Sequence, residues 1–172
     1  MLDDEAFSQS VYWITPRIAL GRYVTPERAT YLRGKGVTHV LNVGENPSTV
    51  NASEYGFAEI VDCPIVDLTR IPNEIAVDCV STLHSFLCAS SESKAYVHCL
   101  AGQRRSPTVA WLYFIARGLE PSRAKQLIEE RVFDAVPGHS ALVDDELIRS
   151  VIEFGRHHLP LFDEDEIASL SQ

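Results

Sequence analysis

A thiol at Cys99 and a guanidinium at Arg105 are separated by five residues in the run Ala95-Tyr96-Val97-His98-Cys99-Leu100-Ala101-Gly102-Gln103-Arg104-Arg105-Ser106-Pro107. β-Branched and aromatic residues lead into this run and an apolar, helix-forming stretch follows, so it reads as a buried strand turning into a helix. Such a turn gathers backbone N–H groups around one point at the positive end of a helix, which makes an anion site. A thiol held there favours its nucleophilic thiolate form. Arg105 adds a planar fork of donors that matches two oxygens of a phosphoryl group. These residue types and their spacing point to nucleophilic attack at phosphorus.

The order His-Cys, five residues, Arg, Ser resembles the signature loop of the cysteine-dependent protein tyrosine phosphatases, and within them the compact dual-specificity branch. The resemblance covers residues 11–154 and implies a single α/β domain with a small, mostly parallel sheet of five strands flanked by helices. It implies Cys99 as nucleophile and Leu100, Ala101, Gly102, Gln103, Arg104 and Arg105 as the phosphate cradle. Gly102 falls where backbone approaches the ligand, and Ser106 supplies the hydroxyl beside the sulfur. Asp67, in a loop after a strand, resembles the family's general acid. The implied reaction is phosphomonoester hydrolysis with no metal and no cofactor. Cys99 attacks phosphorus while protonated Asp67 gives its proton to the leaving oxygen. Water then opens the phosphocysteine with Asp67 as base, and the Ser106 hydroxyl stabilises the departing thiolate. His98 is expected to hold the loop through a hydrogen bond, without transferring protons.

The elements that must position these groups are legible in order. Residues 1–10 read as a flexible lead-in. Two short strands around 11–14 and 18–20 are joined at Thr15-Pro16-Arg17. Thr25, Pro26 and Glu27 give a cap, a first-turn proline and an early acid, predicting a helix over 26–33 that Gly34-Lys35-Gly36 ends. A strand is expected over 37–43, with Asn42 a candidate to orient a neighbouring loop. A polar connection over 44–55 precedes the next strand over 59–66, in which Pro64 signals an edge or irregular position. Pro72 opens a helix whose Ile75, Cys79, Val80, Leu83 and Leu87 keep helical spacing. After the signature loop come a helix apolar on nearly every side over 108–117, an amphipathic helix from Pro121, and a last one over 142–157. The catalytic domain is placed at 11–158, and 159–172 reads as a mobile acidic tail. If the strands before Asp67 and Cys99 run parallel, both loops open at the same carboxyl edge, where α/β proteins build their sites.

Composition bounds the partners. The 172 residues carry a formal charge of −9, against the basic surface that nucleic acid or an anionic membrane requires. No apolar run approaches bilayer-spanning length. The four cysteines lack paired metal-ligand spacing and no secretory pattern opens the chain, so a reducing, cytoplasmic setting is expected. Cys63, Cys79 and Cys88 are candidates to trap oxidised Cys99 as a disulfide. The expected partner is a phosphorylated protein carrying phosphotyrosine, phosphoserine or phosphothreonine. A lipid or carbohydrate phosphate is the alternative, with a non-catalytic phosphate-binding module, an arsenate reductase and a sulfur carrier as rivals from other classes.

Overall fold

Every strand expected from the alternation of β-rich runs and turn residues forms, and all of them join one sheet. The computed structural model describes residues 7–8 and 10–171. β1 (Val11–Thr15), β2 (Ile18–Gly21), β3 (His39–Asn42), β4 (Glu59–Asp62) and β5 (Ala95–His98) lie in the order β1-β2-β5-β3-β4. Only β1 and β2 pair antiparallel; β2 with β5, β5 with β3 and β3 with β4 are parallel. The strand that leads to Cys99 is therefore central, and Val97 pairs with Leu20 on one side and Leu41 on the other.

Alternation along each strand builds a core on both faces. Tyr96, Ala19 and Val40 join Ala29 and Leu32 of α1 (Pro26–Gly34) and Val24, Val37 and Phe57. Ala95, Val97, Leu20 and Leu41 face the opposite way, onto α3 (Asn73–Cys88), α4 (Arg105–Ala116), α5 (Pro121–Arg131) and α6 (Asp145–His158). α4 is buried along its whole length, as its apolar sequence requires. The Thr25 hydroxyl accepts from the Arg28 amide at 3.2 Å and starts α1 where the cap signal predicts.

Three expectations are corrected. The connection over 44–55 holds a short helix, α2 (Ala52–Tyr55), capped by the Asn51 side chain and closed by Gly56 at φ 85°. The strand expected over 59–66 ends at Asp62. Pro64 has no N–H to donate, although the amides of Cys63 and Ile65 still reach the carbonyls of Asn42 and Val43. The acidic stretch 159–172, expected to be mobile, holds α7 (Glu164–Leu170). The Asp163 carboxylate accepts from the Glu166 amide at 2.7 Å and Glu166 accepts from the Asp163 amide at 3.3 Å, a capping box, and Leu170 is buried in the core. Of the expected lead-in, residues 1–6 and 9 lie outside the described residues, while Phe7 stacks on Tyr31 at 5.6 Å.

Candidate active site

Cys99 follows the last residue of β5, and Arg105 opens α4, so the loop between them turns at the carboxyl edge of the sheet. Gly102 shapes this loop. It sits at φ +77°, and a Cβ there would stand 2.8 Å from the Gly21 carbonyl oxygen. Only glycine fits both the left-handed backbone and the close approach. The Gly102 amide points inward and donates to Cys99 Sγ at 3.2 Å, and Ser106 Oγ lies 3.5 Å from the same sulfur. Cys99 is 2 % exposed and Ser106 fully buried.

Neighbouring segments hold the loop from outside. The Tyr23 amide donates to the Leu100 carbonyl at 3.3 Å, and the Val136 amide to the Gln103 carbonyl at 2.7 Å. Gly44 lies against the backbone of Cys99, where a Cβ would come within 3.3 Å of its Cα. His98 Nδ1 is 3.1 Å from the Cys99 carbonyl oxygen. The ring is packed between Tyr23 and Tyr96. Burial pushes the His98 pKa down to about 4, so the imidazole is neutral at pH 7 and its Nδ1–H donates to that carbonyl. His98 Nε2 is buried and has no hydrogen-bond partner among the described residues. Asn42 braces the opposite wall: its amide donates to the Asn46 carbonyl at 2.8 Å and to Asp62 at 3.1 Å, while its oxygen accepts from the Gly44 amide.

Because β4 and β5 both run parallel to β3, the loops after them open together, and the acid loop reaches the cradle. Arg105, 6 % exposed, donates through Nη1 to the Ile65 carbonyl at 3.1 Å. The same nitrogen is 3.5 Å from Glu45, and Arg105 Nε is 3.9 Å from Asp67. Asp67 accepts two hydrogen bonds from Arg104, from Nε to Oδ1 at 3.1 Å and from Nη2 to Oδ2 at 2.5 Å. Arg104 thus holds the Asp67 carboxyl below its usual range, with the charge of Arg105 adding to the effect. Leu68, next in the chain, has φ 56°, a strained conformation for a branched side chain that turns the chain sharply after Asp67.

A cavity of about 180 Å³ opens beside Arg105, lined by Tyr23, Gly44, Glu45, Asn46 and Leu100. The structure thus brings together Cys99, Gly102, Arg105, Ser106 and Asp67 as the sequence orders them. Arg104 stays within the loop expected to form the cradle, and its side chain pairs with Asp67. Glu45, Tyr23 and Asn46 were not singled out from the sequence. Glu45 follows β3, whose carboxyl end opens on the same edge, and that position was the available signal. Of the other cysteines, Cys79 Sγ contacts Cys63 Sγ at 3.1 Å, and Cys88 Sγ lies 3.3 Å from His84 Nε2. Among the described residues no group of three or more His, Cys, Asp or Glu side chains is placed to hold a metal ion. No helix among them is long and apolar enough to cross a membrane.

Comparison with known proteins agrees with this geometry. A family model described as Swiss Army Knife protein, DSP-PTPase phosphatase domain, matches residues 9–145. Protein tyrosine phosphatase type IVA 3 of Homo sapiens is 29% identical over 100 residues, and that of Bos taurus 30% identical. The match spans 58% of this chain and 58% of the length of each relative. Among solved structures, Tk-PTP in its active form superposes with a TM-score of 0.66 at 20% identity, covering 86% of this chain and 97% of that one. PTPMT1 gives 0.67 at 17% identity over 86% and 94%. The human tyrosine phosphatase-like serine/threonine/tyrosine-interacting protein gives 0.67 at 19% identity over 88% and 99%. At these identities the structural likeness is one of fold.

Proposed function

The chain belongs to the DSP-PTPase phosphatase domain family, and on that premise we propose that it hydrolyses phosphomonoesters through a phosphocysteine at Cys99. The observation that carries this reading is the sulfur's setting. The thiol is met by the Gly102 amide at 3.2 Å and the Ser106 hydroxyl at 3.5 Å, at the N-terminus of α4 and beside the Arg105 fork. Amide dipoles and a helix terminus aimed at one point stabilise the negative charge that phosphoryl oxygens bring there. A module that only bound phosphate would need neither the nucleophile nor an acid loop brought over it.

In the first step the Cys99 sulfur attacks phosphorus in line, the S–P bond forms and the P–O bond to the leaving alcohol breaks. Asp67, when protonated, gives its proton to that oxygen. In the second step a water oxygen attacks phosphorus, its proton passes to the Asp67 carboxylate, and the S–P bond breaks toward a thiolate stabilised by Ser106. Arg105 holds two phosphoryl oxygens throughout. The site acts without a metal, in a cytoplasmic setting, on phosphoproteins. A second reading, a lipid phosphate, is favoured by the exposed Val66, Leu68 and Leu100, which flank Asp67 and follow the thiol. PTPMT1, similar in fold, has been solved in complex with PI(5)P.

The test is hydrolysis of para-nitrophenyl phosphate by the wild type and Cys99→Ser with a chelator present and vanadate as competitor. Vanadate-sensitive turnover that persists with chelator and vanishes in the variant is expected. Absence of turnover in folded, reduced wild type would overturn the reading.

A further inference from the structure

The two hydrogen bonds between Arg104 and Asp67 constrain that chemistry. Asp67 Oδ1 accepts from Arg104 Nε at 3.1 Å and from the Leu68 amide at 3.0 Å, and Oδ2 accepts from Arg104 Nη2 at 2.5 Å. Both carboxylate oxygens therefore face donors that bind the anion, in the fork-to-fork geometry of the strongest charge-assisted pairs. Arg105 Nε adds a second cation at 3.9 Å. Against them stands Glu45 from the loop after β3, which accepts from the Asp67 amide at 3.2 Å. Arg70, three residues on, is turned away onto Asp144 at 3.0 Å. The balance around Asp67 is cationic, and the group the reaction needs protonated is held as a carboxylate.

We propose that Arg104 is a positioning residue that clamps Asp67 in its carboxylate form and so directs the site to phosphate esters of acidic alcohols, aryl phosphates such as phosphotyrosine, over alkyl phosphates. The inference rests on the reading of the site as a phosphomonoester hydrolase with Asp67 as its acid. A phenolic oxygen leaves phosphorus with little help, whereas an alkyl oxygen leaves as a costly alkoxide unless a proton reaches it. Clamping lowers the fraction of Asp67 that carries a proton at neutral pH. The protonated form becomes a stronger acid, but proton transfer in the transition state responds only fractionally to acid strength, so the net effect on alkyl esters is a loss. The second step gains by the same contact. Asp67 must be ionised to take the proton of the attacking water, and the clamp keeps it so. Phosphoserine and lipid phosphates are thus disfavoured at the step that forms the S–P bond, while breakdown of the phosphocysteine keeps its base.

The experiment compares the wild type with Arg104→Gln and Arg104→Lys. It measures kcat/KM on phosphotyrosine and phosphoserine peptides of one sequence across acidic to neutral pH, with carbon NMR titration of the Asp67 carboxyl alongside. Any damage to phosphate binding is common to both peptides and cancels in their ratio. In Arg104→Gln, phosphoserine is expected to gain on phosphotyrosine by about tenfold, with the descending limb of the pH profile and the Asp67 titration both moved to higher pH. Arg104→Lys keeps a point charge without the fork and falls between. An unchanged ratio with an unchanged descending limb overturns the proposal. Should the wild type turn over no ester, the hydrolase reading fails, and the titration decides the clamp alone: a higher Asp67 midpoint in Arg104→Gln upholds it, an unmoved one overturns it.

Discussion

Ser106 Oγ stands 3.5 Å from Cys99 Sγ, both groups buried where β5 gives way to α4. The hydroxyl can donate to a sulfur that carries charge, and the sulfur carries charge when the phosphocysteine breaks. Ser106→Ala should therefore slow breakdown more than formation. A hydrogen bond to a charged group contributes about 2 kcal/mol, so kcat should fall on the order of 30-fold while kcat/KM falls far less. Rapid-quench mass spectrometry should find the phosphorylated chain accumulating; its absence during turnover would remove Ser106 from this role.

Arg105→Lys tests the fork. Arg105 already spends one nitrogen on the Ile65 carbonyl, which fixes the plane of the guanidinium toward the loop. Lysine keeps the charge but can neither anchor there nor meet two phosphoryl oxygens at once. A fall of about 100-fold or more in kcat/KM on para-nitrophenyl phosphate is expected. Near-wild-type turnover would contradict the assignment of the phosphate site.

His98 gives the molecule a pH dependence of stability. Its pKa in the fold, lowered to about 4 by burial, lies below the 6.5 of an exposed imidazole. The fold therefore binds fewer protons than the unfolded chain between these values. This contribution is fully present above pH 6.5 and is lost as pH falls toward 4. At about 1.4 kcal/mol per unit it amounts to roughly 3 kcal/mol. The depressed Asp67 carboxyl acts with the same sign at lower pH, its contribution lost as pH falls through its folded value. Urea unfolding at neutral pH and near pH 5 should show wild-type stability falling with pH, and His98→Gln should flatten the change above pH 5. Equal slopes in the two proteins would refute the assignment.

Gly155 fixes the contact between α6 and the end of α4. A Cβ at this position would stand 1.9 Å from the Ala116 carbonyl oxygen and 2.7 Å from its carbon, both backbone atoms that cannot turn aside. Gly155→Ala should force the helices apart at a cost of about 2 kcal/mol or more. Calorimetry should find a melting temperature lower by about 4 °C or more. A variant that melts with the wild type would mean that α6 can shift without penalty.

The parts readable from sequence were those with local causes. Thr25-Pro26-Glu27 announces α1, and Pro64 signals the edge or irregular position that β4 has in the sheet. Cys99, Arg105 and Ser106 come as one continuous loop, and Asp67 needed only the parallel order of two strands. α2 and α7 were missed although their signals are local: Asn51 with Gly56 frames one, and Asp163 with Glu166 caps the other. In both, the acidic and polar composition of the segment outweighed the caps. The contacts of Arg104 with Asp67, and of Arg105 with Glu45, join residues far apart in sequence. Only the folded sheet brings them together, so no spacing rule could have paired the Arg104 side chain with Asp67.

The central place of β5 bears on how the molecule wears out. Protected by β2 and β3 along its edges and by helices on both faces, this strand should be among the last to exchange its amide protons with solvent. Fraying of α7 or of the β1 edge leaves the segment that carries the sulfur closed. The strand that seats the loop should therefore stay in place until the whole domain opens, and loss of activity on warming should keep step with global unfolding.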